Sequence, residues 1–334
     1  MIIRRMGQTG LKVSAICLGT MTFGQQCDER TSFAILDKAA ELGVNFIDCA
    51  DVYPIPPSVE TAGRSEEIIG RWLEGKREQF VLATKCRMRV GTGPNDEGLS
   101  RRHILRSVED SLRRLGTDWI DFYFVHNFDK RTPIEETLRA LDDLRHQGKI
   151  LYLAVSNWAA WQIATALGVS AREHLARFEL IQPMYNLVRR QAEVEILPLA
   201  QAANLGVISY SPLGGGLLTG KYGASRRPDS GRLVENRLYI NRYSYDSDFA
   251  TAEAFTEFAA AAGVAPATLA VAWVMSHPGI TAPIIGARNL TQLEGSLAAL
   301  DLEMTPALRA EICALSATPP PATDRTETLN PGWQ

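Results

Sequence analysis

Eight short, continuous apolar runs, each followed by a stretch of helical periodicity, constrain this chain of 334 residues more than any other feature. The runs lie at 16–18, 44–47, 80–84, 119–125, 150–155, 178–182, 206–210 and 280–285. Helical spacing follows near 31–42, 64–75, 101–115, 133–147, 159–168, 193–204, 250–262 and 290–299. A strand with one wet face alternates apolar and polar residues, whereas a continuous run has both faces covered, as in parallel sheets flanked by helices. Eight such units in a chain of this length predict an α/β fold of the (β/α)8, or TIM-barrel, type rather than an open doubly wound sheet. No shift in composition divides the chain, so residues 1–334 are predicted to form a single domain. Residues 1–14 precede the alternation as two short strands about Gln8-Thr9-Gly10, an N-terminal β-hairpin. Three stretches fall outside the pattern: a proline-rich loop at 54–63, a long loop at 214–249 and a tail at 317–334. The first two follow the carboxyl ends of strands, where barrels of this type bind substrates.

Composition removes several classes of function. A formal net charge of −3 provides no basic stripe for a phosphate backbone, so no nucleic-acid partner is predicted. The opening residues hold no apolar signal core, and later apolar runs break well before membrane-spanning length. A cytoplasmic protein with no membrane partner is the expectation. The five cysteines are scattered and never form a Cys-x-x-Cys pair, which predicts neither a disulfide framework nor a metal site.

Polar residues at the ends of the apolar runs carry the chemistry. Asp48 ends the second run, Tyr53 follows in its loop, Lys85 ends the third and His126 the fourth. Singly, each reads as a cap, a packing residue or a solvated charge. Together, at the ends of consecutive strands, they assemble the parts of a proton-donating site. A neighbouring ammonium is expected to lower the pKa of the Tyr53 phenol, and Asp48 to compensate the Lys85 charge. A neutral His126 could orient a carbonyl oxygen by hydrogen bonding.

Across nearly its whole length the chain also resembles the aldo-keto reductase superfamily. The matching stretches are Leu18-Gly19-Thr20-Met21, Asn45-Phe46-Ile47-Asp48 with Tyr53, Ala83-Thr84-Lys85, Val125-His126 and Val155-Ser156-Asn157. They continue through Ile181-Gln182-Pro183-Met184-Tyr185-Asn186, Tyr210-Ser211-Pro212-Leu213-Gly214 and Ile285-Gly286-Ala287-Arg288. The resemblance implies a catalytic tetrad of Asp48, Tyr53, Lys85 and His126, with Tyr53 as general acid in the reduction of an aldehyde or ketone by NADPH, NADH being the other option. It implies an extended cofactor over the barrel mouth, and no Gly-x-Gly-x-x-Gly follows the first strand to suggest a conventional dinucleotide domain. Gly19, Thr20, Met21 and Asp48 then lie near the cofactor. Ser156, Asn157 and Gln182 match positions that hold the carboxamide, and Tyr210 matches the residue stacked on the nicotinamide. Ser211, Pro212, Leu213, Gly216, Leu217 and Lys221 fall along the pyrophosphate. Ile285, Gly286, Ala287, Arg288 and Gln292 fall at the adenosine end, where a guanidinium suits a 2′-phosphate. Many relatives carry an acid–Asn pair in the next helical turn, where this chain has Gly295-Ser296.

For a small carbonyl substrate the resemblance places Phe23, Ile55, Arg87, Asn127 and Trp158 near the pocket. Phe23 and Trp158 read as an aromatic wall or as rim packing. Arg87 reads as a rim ion pair or as a contact for an anionic group. The loop after Tyr53 is similar to one found in a bacterial subgroup of the superfamily. An alternative is a redox-sensing regulatory subunit that binds NADPH, resembling the potassium-channel β subunits, which share the barrel.

Overall fold

The computed structural model describes residues 1–323, so the end of the tail expected at 317–334 lies outside the described residues. Strands β1 (Ile3–Arg5) and β2 (Lys12–Ser14) pair antiparallel as the expected hairpin. Strands β3 (Cys17–Gly19), β4 (Phe46–Asp48), β5 (Val81–Cys86), β6 (Ile120–Val125), β7 (Ile150–Ser156), β8 (Phe178–Gln182), β9 (Gly206–Ser209) and β10 (Ala282–Ile285) close into one parallel barrel. The ring closes where β10 pairs with β3, Ile284 opposite Cys17 and Ile285 opposite Leu18. This is the (β/α)8 barrel that the alternation predicts.

Helices α1 (Glu29–Glu41), α2 (Arg64–Leu73), α3 (Arg101–Leu115), α4 (Ile134–His146), α5 (Ala160–Glu173) and α6 (Ile196–Ala202) follow β3 to β8 in turn. Their ends are chemically marked. Asp28 caps α1 by accepting from Thr31 N at 2.8 Å, and Ser100 caps α3 by accepting from His103 N at 3.3 Å. The segment after β9 departs from expectation. The loop expected at 214–249 holds a 3-10 turn (Gly214–Thr219) and the short helices α7 (Arg232–Glu235) and α8 (Arg237–Arg242). It then runs into α9 (Asp246–Ala261). Helix α10 (Pro266–Met275) was not anticipated either: Thr268 to Met275 are all buried, and a helix apolar all round shows no periodicity. Helices α11 (Leu290–Leu297) and α12 (Pro306–Cys313) complete the described fold, α12 also being unanticipated. Helix α5 runs past the expected end at 168 because Gly168 remains helical. No single helix among the described residues is long and apolar enough to cross a membrane.

Two apolar layers result. The larger lies between strands and helices. The smaller fills the barrel itself with Cys17, Phe46, Val81, Ala83, Phe122, Phe124, Ala154, Leu180, Ile208, Ala282 and Ile284. Met6 and Val13 of the hairpin join this inner layer. Gly7 lies against β9 so closely that a Cβ on it would sit 2.4 Å from Gly206 N. The Arg4 guanidinium donates to the carbonyls of Ile280 and Thr281 at 3.0 Å, just ahead of β10. The hairpin therefore plugs the amino-terminal end of the barrel and leaves the carboxyl end as its open mouth.

Candidate active site

Side chains on a strand return to the same face every second residue. One step of two residues beyond the inner layer gives the mouth. Cys17 leads to Gly19, Phe46 to Asp48, Ala83 to Lys85 and Phe124 to His126. In the same way Ala154 leads to Ser156, Leu180 to Gln182, Ile208 to Tyr210 and Ile284 to Gly286. Every strand of the barrel thus contributes one predicted site residue to a single layer above the core. At Gly19 no side chain fits, because a Cβ there would lie 2.6 Å from Ile284 Cγ2.

Lys85 is the centre of this layer. It is fully buried, and its Nζ donates to Asp48 Oδ2 at 2.6 Å and to the Cys49 carbonyl at 2.6 Å. The other Asp48 oxygen accepts from Gln182 Nε2 at 2.8 Å. A buried ion pair persists only where the remaining lone pairs are satisfied, and Gln182 does that here. The role of Gln182 in holding Asp48 was not read from the sequence. Polar links then pass around the rim. Ser156 Oγ donates to the Gln182 carbonyl at 3.0 Å, Asn157 Nδ2 donates to the His126 carbonyl at 3.0 Å, and Tyr210 OH donates to Asn157 Oδ1 at 2.7 Å. Asn157 holds a positive φ of 59°, a conformation that Asn tolerates better than most residues.

The segment between Asp48 and Tyr53 keeps pairing with β5 beyond the end of β4. Cys49 N donates to the Ala83 carbonyl at 2.8 Å, and Asp51 N to the Lys85 carbonyl at 3.0 Å. This ladder holds the Tyr53 ring 5.1 Å from Lys85 Nζ, with the His126 ring edge-on at a centroid distance of 6.0 Å. The four tetrad candidates are therefore neighbours. Burial pushes the Tyr53 phenol well above its usual 10.0, and the Asp48 carboxylate pushes it further. This corrects the expectation that Lys85 would lower it. The ammonium is engaged by Asp48 and the Cys49 carbonyl, so little net positive charge faces the ring. The phenol stays protonated at neutral pH, the form a proton donor needs. Burial, then Lys85 and Arg87, pushes the His126 imidazole well below 6.5, so it is neutral. Its Nδ1 is buried without a hydrogen-bond partner among the described residues.

The cofactor candidates form two groups. Thr20 is buried, its Oγ1 donating to the Asp48 carbonyl at 3.0 Å, and Met21 is half-buried beside it. Past Tyr210, Ser211 and Leu213 are half-buried, while Pro212 and Leu217 are buried, so the Leu217 side chain serves the core. Gly215 and Gly216 take positive φ of 68° and 105°, which lets the backbone double back without side chains. Lys221 lies beyond, half-buried, and burial together with the nearby Arg288 and Arg232 charges lowers its pKa. Arg232, which sequence reading did not single out, thus joins Lys221 and Arg288 in a cationic cluster. Ile285 ends β10, and Gly286 and Arg288 are exposed; Ala287 is buried, its carbonyl accepting from Thr22 Oγ1 at 3.0 Å. The Gln292 side chain accepts from Arg288 N at 3.0 Å, so it shapes the turn into α11.

The substrate candidates divide differently. Phe23 is fully buried, and Trp158 is buried against Phe128 and Phe178, with ring centroids 4.9 and 5.5 Å away. Ile55, Arg87 and Asn127 are half-buried at the rim. Arg87 makes no ion pair among the described residues, contrary to the rim salt bridge expected of it. Tyr239 from α8, not anticipated, packs over the glycine turn and lies near enough to Tyr53 to raise its pKa. Its signal was faint: two tyrosines one helical turn apart, Tyr239 and Tyr243, in a stretch read as loop.

The sequence pattern of the Aldo/keto reductase family matches residues 15–316. The chain is 38% identical over 306 residues to the uncharacterized oxidoreductase YrpG of Bacillus subtilis, covering 90% of this chain and 91% of that one. It is 37% identical over 330 residues to a probable voltage-gated potassium channel subunit beta of Oryza sativa subsp. japonica, covering 96% and 98%. It is 31% identical over 328 residues to the versiconal hemiacetal acetate reductase of Aspergillus parasiticus, covering 90% and 93%.

Proposed function

Because the chain belongs to the aldo/keto reductase family and is an NAD(P)H-dependent oxidoreductase, we propose that it reduces aldehydes or ketones to alcohols at the mouth of its barrel. The carrying observation is the layer in which Lys85, neutralised by Asp48, lies beside a buried, protonated Tyr53 and a neutral His126. In this reading the His126 imidazole orients the carbonyl oxygen and Tyr53 gives it a proton. Asp48 and Gln182 fix the position of Lys85 beside the phenolate left behind.

Asn157, Ser156 and Gln182 would hold the carboxamide of the cofactor and Tyr210 would face its ring. The glycine turn and Lys221 would follow the pyrophosphate, and Arg288 the 2′-phosphate. The fit rests on Lys221, Arg232 and Arg288, like charges with no ion-pair partner among the described residues, where burial and the two guanidinium groups lower the Lys221 pKa. Such a cluster suits a phosphorylated ligand and favours NADPH over NADH. Bound there, NADPH supplies the hydride.

Tyr53→Phe tests the assignment. Turnover of an aldehyde panel should be lost while NADPH binding, read by fluorescence, stays within about threefold. Unchanged turnover refutes it. The potassium-channel relatives support a second reading, a subunit whose cofactor redox state is its output. Tight NADPH binding with no oxidation by any carbonyl compound would favour that one.

A further inference from the structure

Arg87 is the first residue past β5 and adopts a φ of 120°, a region costly for any side-chain-bearing residue. Its carbonyl accepts from Gly98 N at 2.9 Å, which fixes the turn. Its Nε is buried and has no hydrogen-bond partner among the described residues. Among the described residues its Nη1 reaches only the Met88 sulfur, at 3.9 Å. Asn127 Nδ2 donates to the same sulfur at 3.5 Å. A thioether is a weak acceptor, so two strong donor groups converge on a place that gives them almost nothing to bond.

The surrounding acids are already committed. Asp96 accepts from Arg106 at 2.9 Å, and Glu97 from Arg89 at 2.7 Å. Asp129, the acid that feels the Arg87 charge, accepts from Leu99 N at 2.9 Å, Thr132 Oγ1 at 2.8 Å and Arg131 N at 3.0 Å. Lys85, the other cation here, is neutralised by Asp48. Arg87 therefore carries a positive charge that no carboxylate among the described residues compensates. It lies beside His126, whose backbone N–H donates to the Cys86 carbonyl at 2.9 Å.

We propose that Arg87 and Asn127 form an oxyanion subsite, so that the favoured carbonyl substrates carry a carboxylate or phosphate group. The inference rests on the reductase reading and narrows its substrate class. A guanidinium presents paired donors that match either group, and such a group would give its underbonded nitrogens the partner they lack. Backbone strain at the rim of a site is a feature of ligand clamps.

The test compares matched substrates by kcat/KM with NADPH. Succinic semialdehyde is set against butanal, and a phosphorylated hydroxyaldehyde against its unphosphorylated parent. The wild-type protein should prefer one anionic member by about tenfold or more, and the arm that shows the preference identifies the anion. Arg87→Gln should cut that ratio by about tenfold, with Arg87→Lys intermediate because a point charge lacks the paired geometry. A wild-type ratio near one, or a ratio that Arg87→Gln leaves unchanged, overturns the proposal. If Arg87→Gln fails to fold, the wild-type ratio and Arg87→Lys decide. If no carbonyl compound is turned over, the reductase reading fails instead. The subsite is then judged by calorimetry of succinate and inorganic phosphate on the NADPH-loaded protein: binding weakened in Arg87→Lys supports it, and absent or unaltered binding overturns it.

Discussion

Removing either charge at the centre of the barrel should destabilise the protein more than removing both. Lys85 is fully buried and Asp48 nearly so, with Nζ and Oδ2 2.6 Å apart. Lys85→Met strands a carboxylate with Gln182 Nε2 as its one remaining side-chain donor, and Asp48→Leu strands an ammonium with the Cys49 carbonyl. Breaking a buried pair from one side costs about 3–5 kcal/mol. The double substitution Lys85→Met with Asp48→Leu leaves no buried charge. What it leaves unsatisfied is the Gln182 amide, at about 1–3 kcal/mol. A chain of 334 residues has an unfolding entropy of about 0.7 kcal/mol/K, so each single variant should lose about 4–7 °C in Tm and the double about 1–4 °C. Thermal unfolding followed by circular dichroism without cofactor measures this, since a ligand that binds only the folded state would mask the difference. A double variant that loses as much as the two singles summed would refute the reasoning, because the charges would then not be compensating one another.

Asp51 offers a pH test. Both of its carboxylate oxygens are buried without partners among the described residues, and burial, then Glu66, pushes its pKa well above 3.8. A folded-state pKa raised above the unfolded one gives stability that is full below the unfolded value and lost as pH rises through the folded one. The Tm advantage of Asp51→Asn over wild type should therefore be larger near pH 8 than near pH 5, and an advantage that shrinks with pH would contradict the sign. For turnover, the raised Tyr53 and lowered His126 pKa values place both titrations outside the interval from 6.5 to 10.0. Reductive kcat/KM should be flat across it, and a titration limb inside the interval would show that one of these groups is not the one that matters.

How much of this was legible follows from what each residue shows in one dimension. The barrel was readable because eight covered strands leave eight apolar runs, and the helix boundaries of α3 appear in the sequence as Ser100 and Gly116. Asp48, Lys85 and His126 stood out because a polar residue ending an apolar run is conspicuous. Helix α10 did not, since burial all round erases its period. The Tyr53 pKa was misjudged because a sequence shows that a lysine is present but not that Asp48 and the Cys49 carbonyl have engaged its charge. For the same reason the sequence could not show Arg87 without an acid, when Asp96, Glu97 and Asp129 all lie nearby along the chain or across the rim.

The two-residue step that lifts each strand from the inner layer to the mouth divides the chain into places where its length can and cannot change. Inserting one residue before Thr84 in β5 would turn Lys85 toward the helices and bring Thr84 to the centre, because a slip of one residue exchanges the faces of a strand. The loops beyond the strands have no such constraint. New substrates can be accommodated by lengthening or replacing residues 54–63 or 87–98 while the reacting layer stays in register. A screen of single-residue insertions along the chain would trace the barrel directly, with activity failing at each strand and surviving between them.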